Sequence, residues 1–254
     1  MRDLTIFGLD NIGEIKPGDD VARLIFEKAR EQNLILSDGD LVVISQKIVS
    51  KADGLLVDVA ALRPSQRAKR LARMTKKDPR VVELILRDSS KVLRAASQAC
   101  VVRRKDGLVC LNAGVDKSNV DGDTIYTRLP PNSDRSARRI LDRLEELSGS
   151  KLAVIIADTY SRPLRVGQVE FAIGIAGMEP IVDYRGLEDM FGYSLRYKYV
   201  ALADEAAAAA ELVMGQGTER TPVAIIRGLD RMKRSMDRGP SRKLLLGRQL
   251  DLFR

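Results

Sequence analysis

Two short apolar runs govern what this chain can fold into. Leu41-Val42-Val43-Ile44, opened by Gly39-Asp40, and Leu152-Ala153-Val154-Ile155-Ile156-Ala157, preceded by Ser148-Gly149, are rich in β-branched side chains and bounded by turn residues. Such runs predict buried strands, because side chains branched at Cβ pack well on a pleated surface. Both fall far short of the roughly 18 to 20 apolar residues that a bilayer span needs. A further strand is expected at 223–226, and the chain enters a strand-like stretch at its start. Residues 99–103 and 108–112 flank Asp106-Gly107, a two-residue signal for a tight hairpin.

Helical spacing falls between these strands. Val21, Leu24, Ile25 and Ala29 share one face over 19–33, with Asp19 as the expected cap after Pro17-Gly18. Two short helices are expected at 65–74 and 79–88, where Pro79 suits a first turn because its missing N–H costs nothing there. Another runs over 136–147 and stops at Ser148-Gly149; an alanine-rich one runs over 204–214 and stops at Gly215. Hairpin-like and helix-connected strands together predict an α/β (α+β) fold, with mixed β-sheets and packed helices. Gly and Pro are scattered throughout, which predicts two intimately associated lobes in place of a clean boundary.

Composition limits the chemistry. Histidine is absent from all 254 residues, which excludes Ser-His-Asp and Cys-His nucleophiles, histidine bases and histidine-ligated metals. Polar chemistry must rest on Asp, Glu, Lys, Arg, amides and hydroxyls, a ligand set suited to magnesium or manganese. Cys100 and Cys110 form no CxxC pair and read as ordinary buried thiols. The N-terminus lacks the pattern of a secretory signal, so a cytoplasmic location without membrane contact is expected. Of the net charge of +8, residues 227–254 carry +6, from nine Lys/Arg and three Asp/Glu. The basicity thus belongs to a tail, read as a solvated basic helix, with nucleic-acid binding the minority alternative.

Three polar segments follow strand-like runs. Asp158-Thr159 could hold a hard cation, with Arg162 and Arg165 near phosphate oxygens; the alternative is a turn-initiating Asp158. Asn112 to Val120 offers Asp116 and Asn119 to a metal or nucleotide, or is simply an Asn/Ser/Gly turn. Gln46-Lys47 with Lys51 places two ammonium groups as a phosphate site would, or as solvated surface would. No GxxxxGK[ST] and no GxGxxG occurs, and Gly215-Gln216-Gly217-Thr218 is a weak glycine loop.

In order, Lys16-Pro17-Gly18-Asp19-Asp20, the blocks 45–54 and 112–120, Asp158-Thr159 with Arg162-Pro163, 172–177, Asp183-Tyr184-Arg185-Gly186, Ala203-Asp204-Glu205-Ala206 and Val213-Met214-Gly215 resemble the signature of the F420-0:gamma-glutamyl ligase family. The resemblance runs from about Gly8 to Gly228, which predicts one ligase domain over 1–228 and leaves 229–254 as a basic tail outside it. It implies addition of L-glutamate to the lactyl carboxylate of the deazaflavin F420-0, then of a second, gamma-linked glutamate, with GTP cleaved and an acyl phosphate between. The same chemistry on another acidic acceptor is the alternative.

The resemblance also implies site residues. Asp116 and Asp158 match metal ligands, and Thr159 and Gln216 match positions serving a second metal. Asp116, Asp158 and Lys51 would carry catalysis. The nucleotide would be held by Ile12, Gly13, Glu14, Ile15, Gln46, Lys47, Lys51 and Asn119, and by the loop Met214, Gly215, Gln216, Gly217, Thr218, Glu219, Arg220 and Thr221. Magnesium or manganese at two sites, potassium, and an interlocked homodimer are further implications. Gln216 is a neutral oxygen donor where a relative can have Glu.

Overall fold

The computed structural model describes residues 3–247. Along the chain, β1 (Thr5–Leu9), α1 (Val21–Glu31), β2 (Leu41–Ser45) and α2 (Gln46–Ala52) lead to β3 (Leu56–Asp58), α3 (Gln66–Thr75) and α4 (Pro79–Asp88). The strands β4 (Ser89–Ala96), β5 (Ala99–Arg104), β6 (Val109–Leu111) and β7 (Ile125–Thr127) come next. There follow α5 (Ser133–Ser148), β8 (Ala153–Ser161), β9 (Gln168–Met178), β10 (Val182–Asp183), β11 (Tyr199–Val200), α6 (Leu202–Met214), β12 (Val223–Arg227) and β13 (Arg234–Ser235).

The main sheet runs β1-β12-β2-β8-β9-β13. Only β2 and β8 are parallel neighbours in it; the other pairs are antiparallel, so the sheet is mixed as expected. Both faces are covered. Val42, Ile44, Val154 and Ile156 point into a core with α1 and α5, whereas Leu41, Val43, Ile155 and Ile226 point to α6. A strand buried on both faces needs no polar alternation, which is why these runs read as continuously apolar. The alanines of α6, among them Ala203, Ala206, Ala207 and Ala210, are buried against the sheet.

Two aspartates pin helix starts to β9. Asp134, in the first turn of α5, accepts from the Ile175 N–H at 2.8 Å, and Asp204, in the first turn of α6, accepts from the Ala172 N–H at 3.1 Å. Burial pushes both carboxyls above the usual range. These contacts straddle a register shift in the β8–β9 ladder between Ile156 and Ala157. Gly174 allows the approach of α5, because a Cβ there would lie 2.4 Å from the Ser133 carbonyl oxygen.

A smaller sheet, β4-β5-β6, packs against α4 over its own apolar cluster, including Leu84, Ile85, Val102 and Cys100. Cys100 and Cys110 are both free and buried, and burial raises the Cys110 thiol to about 12. Arg104 ties this sheet to the body through the carbonyls of Ala113 at 3.0 Å and Pro130 at 3.2 Å.

Several expectations are corrected. The cap of α1 is Asp20, which accepts from the Arg23 N–H; Asp19 accepts from the Lys16 N–H instead. The β5–β6 turn holds three residues, Lys105, Asp106 and Gly107, with Gly107 at φ +100° and the Arg104 N–H bonded to the Leu108 carbonyl. A glycine at the left-handed third position is what a three-residue hairpin requires. Helix α5 starts at Ser133, capped by Asn132, three residues earlier than its apolar spacing suggests. Residues 46–52, read as a polar segment, form α2 with Ser45 as cap.

The described part of the tail is no α-helix. It forms β13 and a 3-10 turn, Pro240–Leu244, held against the body. Arg234 donates to the Leu152 carbonyl at 2.6 Å, Lys243 pairs with Glu179 at 2.7 Å, and Leu244 packs on the α6 side core. Leu250 and its neighbours lie outside the described residues. Among the described residues no helix is long and apolar enough to cross a membrane.

Candidate active site

At the carboxyl ends of the parallel strands β2 and β8 lies a cavity of about 750 Å³. Sheets of this kind place ligands there, because the connections leaving the strand ends diverge and open a crevice. The walls come from the loop after β1, the start of α2, the loop after β6, the outer half of β8 and the loop between α6 and β12. The first and last of these are tied together. The Asn11 N–H donates to the Arg220 carbonyl at 2.9 Å, and the Thr221 hydroxyl donates to Asp10 at 2.6 Å. Gly215 ends α6 at φ +67°, and a Cβ there would lie 2.4 Å from Glu219.

Most of the residues singled out from sequence meet here. Ile12, Gly13, Glu14, Gln46, Lys47, Lys51, Asp116, Asn119, Asp158, Thr159, Met214, Gly215, Gln216, Gly217, Glu219, Arg220 and Thr221 all line the cavity. Ile15 does not; it is 5% exposed and belongs to the core beneath α1. Thr218 is exposed and off the lining. Arg162 and Arg165 are also outside it, and Arg162 donates to the Val166 carbonyl at 3.1 Å.

Lys47 and Lys51 lie one helical turn apart on α2, which brings both to one wall. Lys47 Nζ pairs with the Asp116 carboxylate and donates to the Ser118 carbonyl and hydroxyl, both at 2.9 Å. Burial works against ionising Asp116, but Lys47 and the Ser118 hydroxyl and N–H outweigh it and hold the carboxyl below its ordinary value.

Asp158 is the opposite case. Burial first, and then the charge of Glu170, push its carboxyl up to about 7. The strand does not end at Asp158, as the sequence suggested; β8 continues to Ser161, so Asp158 and Thr159 project from opposite faces. Thr159 thereby meets Glu170, its cross-strand partner, and Gln216 from the α6–β12 loop. Its hydroxyl lies 2.9 Å from Glu170 Oε1 and 3.0 Å from Gln216 Oε1, while Gln216 Nε2 donates to Glu170 at 2.7 Å.

Glu170, 5% exposed, is the residue sequence reasoning missed. Its one local signal was a carboxylate at the mouth of the apolar run 171–178. Ser118, Glu211 and Asn11 also line the cavity without having been singled out.

Among the described residues no group of three or more His, Cys, Asp or Glu side chains converges as a protein-made metal cage would. The oxygen donors fall into two groups, Asp116 with Asp158 and Thr159 with Glu170 and Gln216, and each is of the kind that suits a small hard cation keeping several waters in its shell, as magnesium commonly does.

The mixed sheet and its cavity thus define an α/β protein that gathers oxygen donors and ammonium groups at the ends of its parallel strands. Its family follows from comparison with known proteins: the chain belongs to the F420-0:gamma-glutamyl ligases, amide-forming enzymes whose family model matches residues 10–228. It is 45% identical over 251 residues to the coenzyme F420:L-glutamate ligase of Methanothermobacter thermautotrophicus, covering 99% of both chains. To the enzyme of the same name from Methanopyrus kandleri it is 44% identical over 240 residues, covering 91% of this chain and 93% of that one.

Proposed function

We propose that this protein uses GTP to join L-glutamate to the lactyl carboxylate of F420-0 and then adds a second glutamate through its gamma-carboxylate. One observation carries the reading. Positions as distant in sequence as Ile12, Lys47, Asp116, Asp158 and Gln216, chosen through the family resemblance, line a single cavity.

The acceptor carboxylate takes the γ-phosphoryl group and GDP leaves; the glutamate amine then attacks the acyl phosphate and expels inorganic phosphate. The first step depends mainly on positioning and charge neutralisation, so it needs no histidine. Lys47 and Lys51 face the triphosphate, and Asn119 and the loop 214–221 enclose the nucleotide. Asp116 and Asp158 would hold one divalent ion, magnesium or manganese, and Thr159, Glu170 and Gln216 a second, with potassium a further candidate. When bound, such ions neutralise phosphate charge and align the reacting oxygens.

A homodimer belongs to the same proposal. Between β10 and β11 an irregular arm exposes Met190 and Phe191 by more than nine tenths, an apolar tip suited to burial against a second copy.

The test is incubation of purified protein with F420-0, L-glutamate, manganese and GTP, read by mass spectrometry. The expected result is a gain of one and then two glutamyl units that requires both GTP and glutamate. No gain from folded protein that still binds GTP would redirect the chemistry to another acidic acceptor.

A further inference from the structure

A second and larger cavity, of about 1410 Å³, is lined, like the first, in part by the β8–β9 pair. Its floor includes Tyr160 and Phe171, which stack with ring centroids 4.6 Å apart. Phe171 is the cross-strand partner of Asp158, and Tyr160 lies two residues beyond Asp158 on the same face, roughly 7 Å along the strand. The aromatic pair therefore shares a face of the β8–β9 pair with Asp158, which lines the first cavity.

The walls are cationic in an unusual way. Arg94, Arg103, Lys105, Arg238 and Arg242 line the cavity, and none has an ion-pair partner within 4.0 Å among the described residues. The acids beside them are all engaged. Asp106 pairs with Arg104, Asp237 pairs with Lys243, Asp134 accepts from Ser241 and Ile175, and Asp204 accepts from Ala172. One wall is the tail segment 237–247, beyond the family match at 10–228, anchored by the 2.8 Å Ser241–Asp134 bond.

We infer that this second cavity binds the acceptor, with its planar aromatic end over Tyr160 and Phe171 and its anionic linker on the unpaired cations, and that Arg238 and Arg242 make the C-terminal segment part of the acceptor site. The inference rests on the ligase reading and names where its acceptor lies. A planar, anionic molecule fits an aromatic floor with a cationic rim by stacking and charge complementarity.

The test uses the intact protein and F420-0 itself, whose deazaflavin fluorescence reports binding directly, alongside steady-state kinetics. Arg238→Gln/Arg242→Gln and Arg94→Gln/Arg103→Gln alter side chains that form no ion pair within 4.0 Å among the described residues, so the fold is expected to survive. In each double variant the Kd for F420-0 is expected to rise about tenfold or more, steeply so at low salt, with the KM for GTP within about twofold. Unchanged F420-0 affinity in both, against a wild type that binds it, would overturn the cavity assignment alone. Failure of the wild type to bind F420-0 at all would overturn the ligase reading and the assignment with it.

Discussion

The two cavities share the β8–β9 strand pair and differ in how their charges are used. In the first, Lys47 is already paired with Asp116, and Glu170, Thr159 and Gln216 bond to one another. In the second, the acids are engaged by the protein, and Arg94, Arg103, Lys105, Arg238 and Arg242 have no ion-pair partner within 4.0 Å among the described residues. On the proposed reading, the difference separates a preorganised reaction centre from a recognition surface. Groups that must hold a reacting phosphate are fixed in advance by neighbours, because reorganising them during reaction would be costly. Groups that only select a ligand can wait for it.

The comparison can be broken most forcefully at Asp158. Asp158→Asn keeps side-chain volume and is expected to lower glutamate ligation at least about a hundredfold, while far-ultraviolet circular dichroism and F420-0 fluorescence quenching persist. Loss of quenching in that variant would merge the two cavities into one site. Next comes Lys47→Met, which removes the Asp116 partner and an ammonium group from the nucleotide wall. The KM for GTP should rise by about tenfold, equivalent to about 1.4 kcal/mol, with F420-0 affinity little altered.

A smaller effect is expected at Glu170. Glu170→Gln keeps a hydrogen-bonding shape beside Thr159 and Gln216 but removes the charge, and kcat should fall by about threefold to tenfold, roughly 0.6–1.4 kcal/mol. Wild-type turnover at all manganese concentrations would exclude Glu170 from the reaction centre. The smallest effect concerns stability in metal-free buffer. The folded state keeps the Asp158 proton up to pH about 7, whereas the unfolded chain releases it in the ordinary carboxylate range. Folded protein binds more protons across that window, so Tm should decline as pH rises through it, and Asp158→Asn should flatten the slope.

Much of the fold was legible from local pattern. The runs at 41–45 and 152–157 announced β2 and β8 because strands buried on both faces are apolar throughout. Helices α3 and α4 followed from spacing and from Pro79. By contrast, β9 was not legible, since Gly174 and Gly177 look like turn signals until α5 and β8 are seen to press against them. Nor was β4, whose mostly exposed residues give no clean alternation. The basic tail looked like a free helix because its partners, Glu145, Glu179 and Asp134, are distant in sequence.

The sequence by itself determined the chemical vocabulary of the protein: no histidine, oxygen donors and lysines after buried strands, and the ordered blocks that place it in its family. Tertiary structure alone decided which of these groups meet. Strand alternation sends Asp158 and Thr159 to opposite faces, and cross-strand pairing brings Glu170 to Thr159. The loop after α6 then carries Gln216 across 46 residues to complete the cluster. Local periodicity fixes the direction of a side chain within its own element, but contact between elements depends on register and loop closure, which no short stretch of sequence contains.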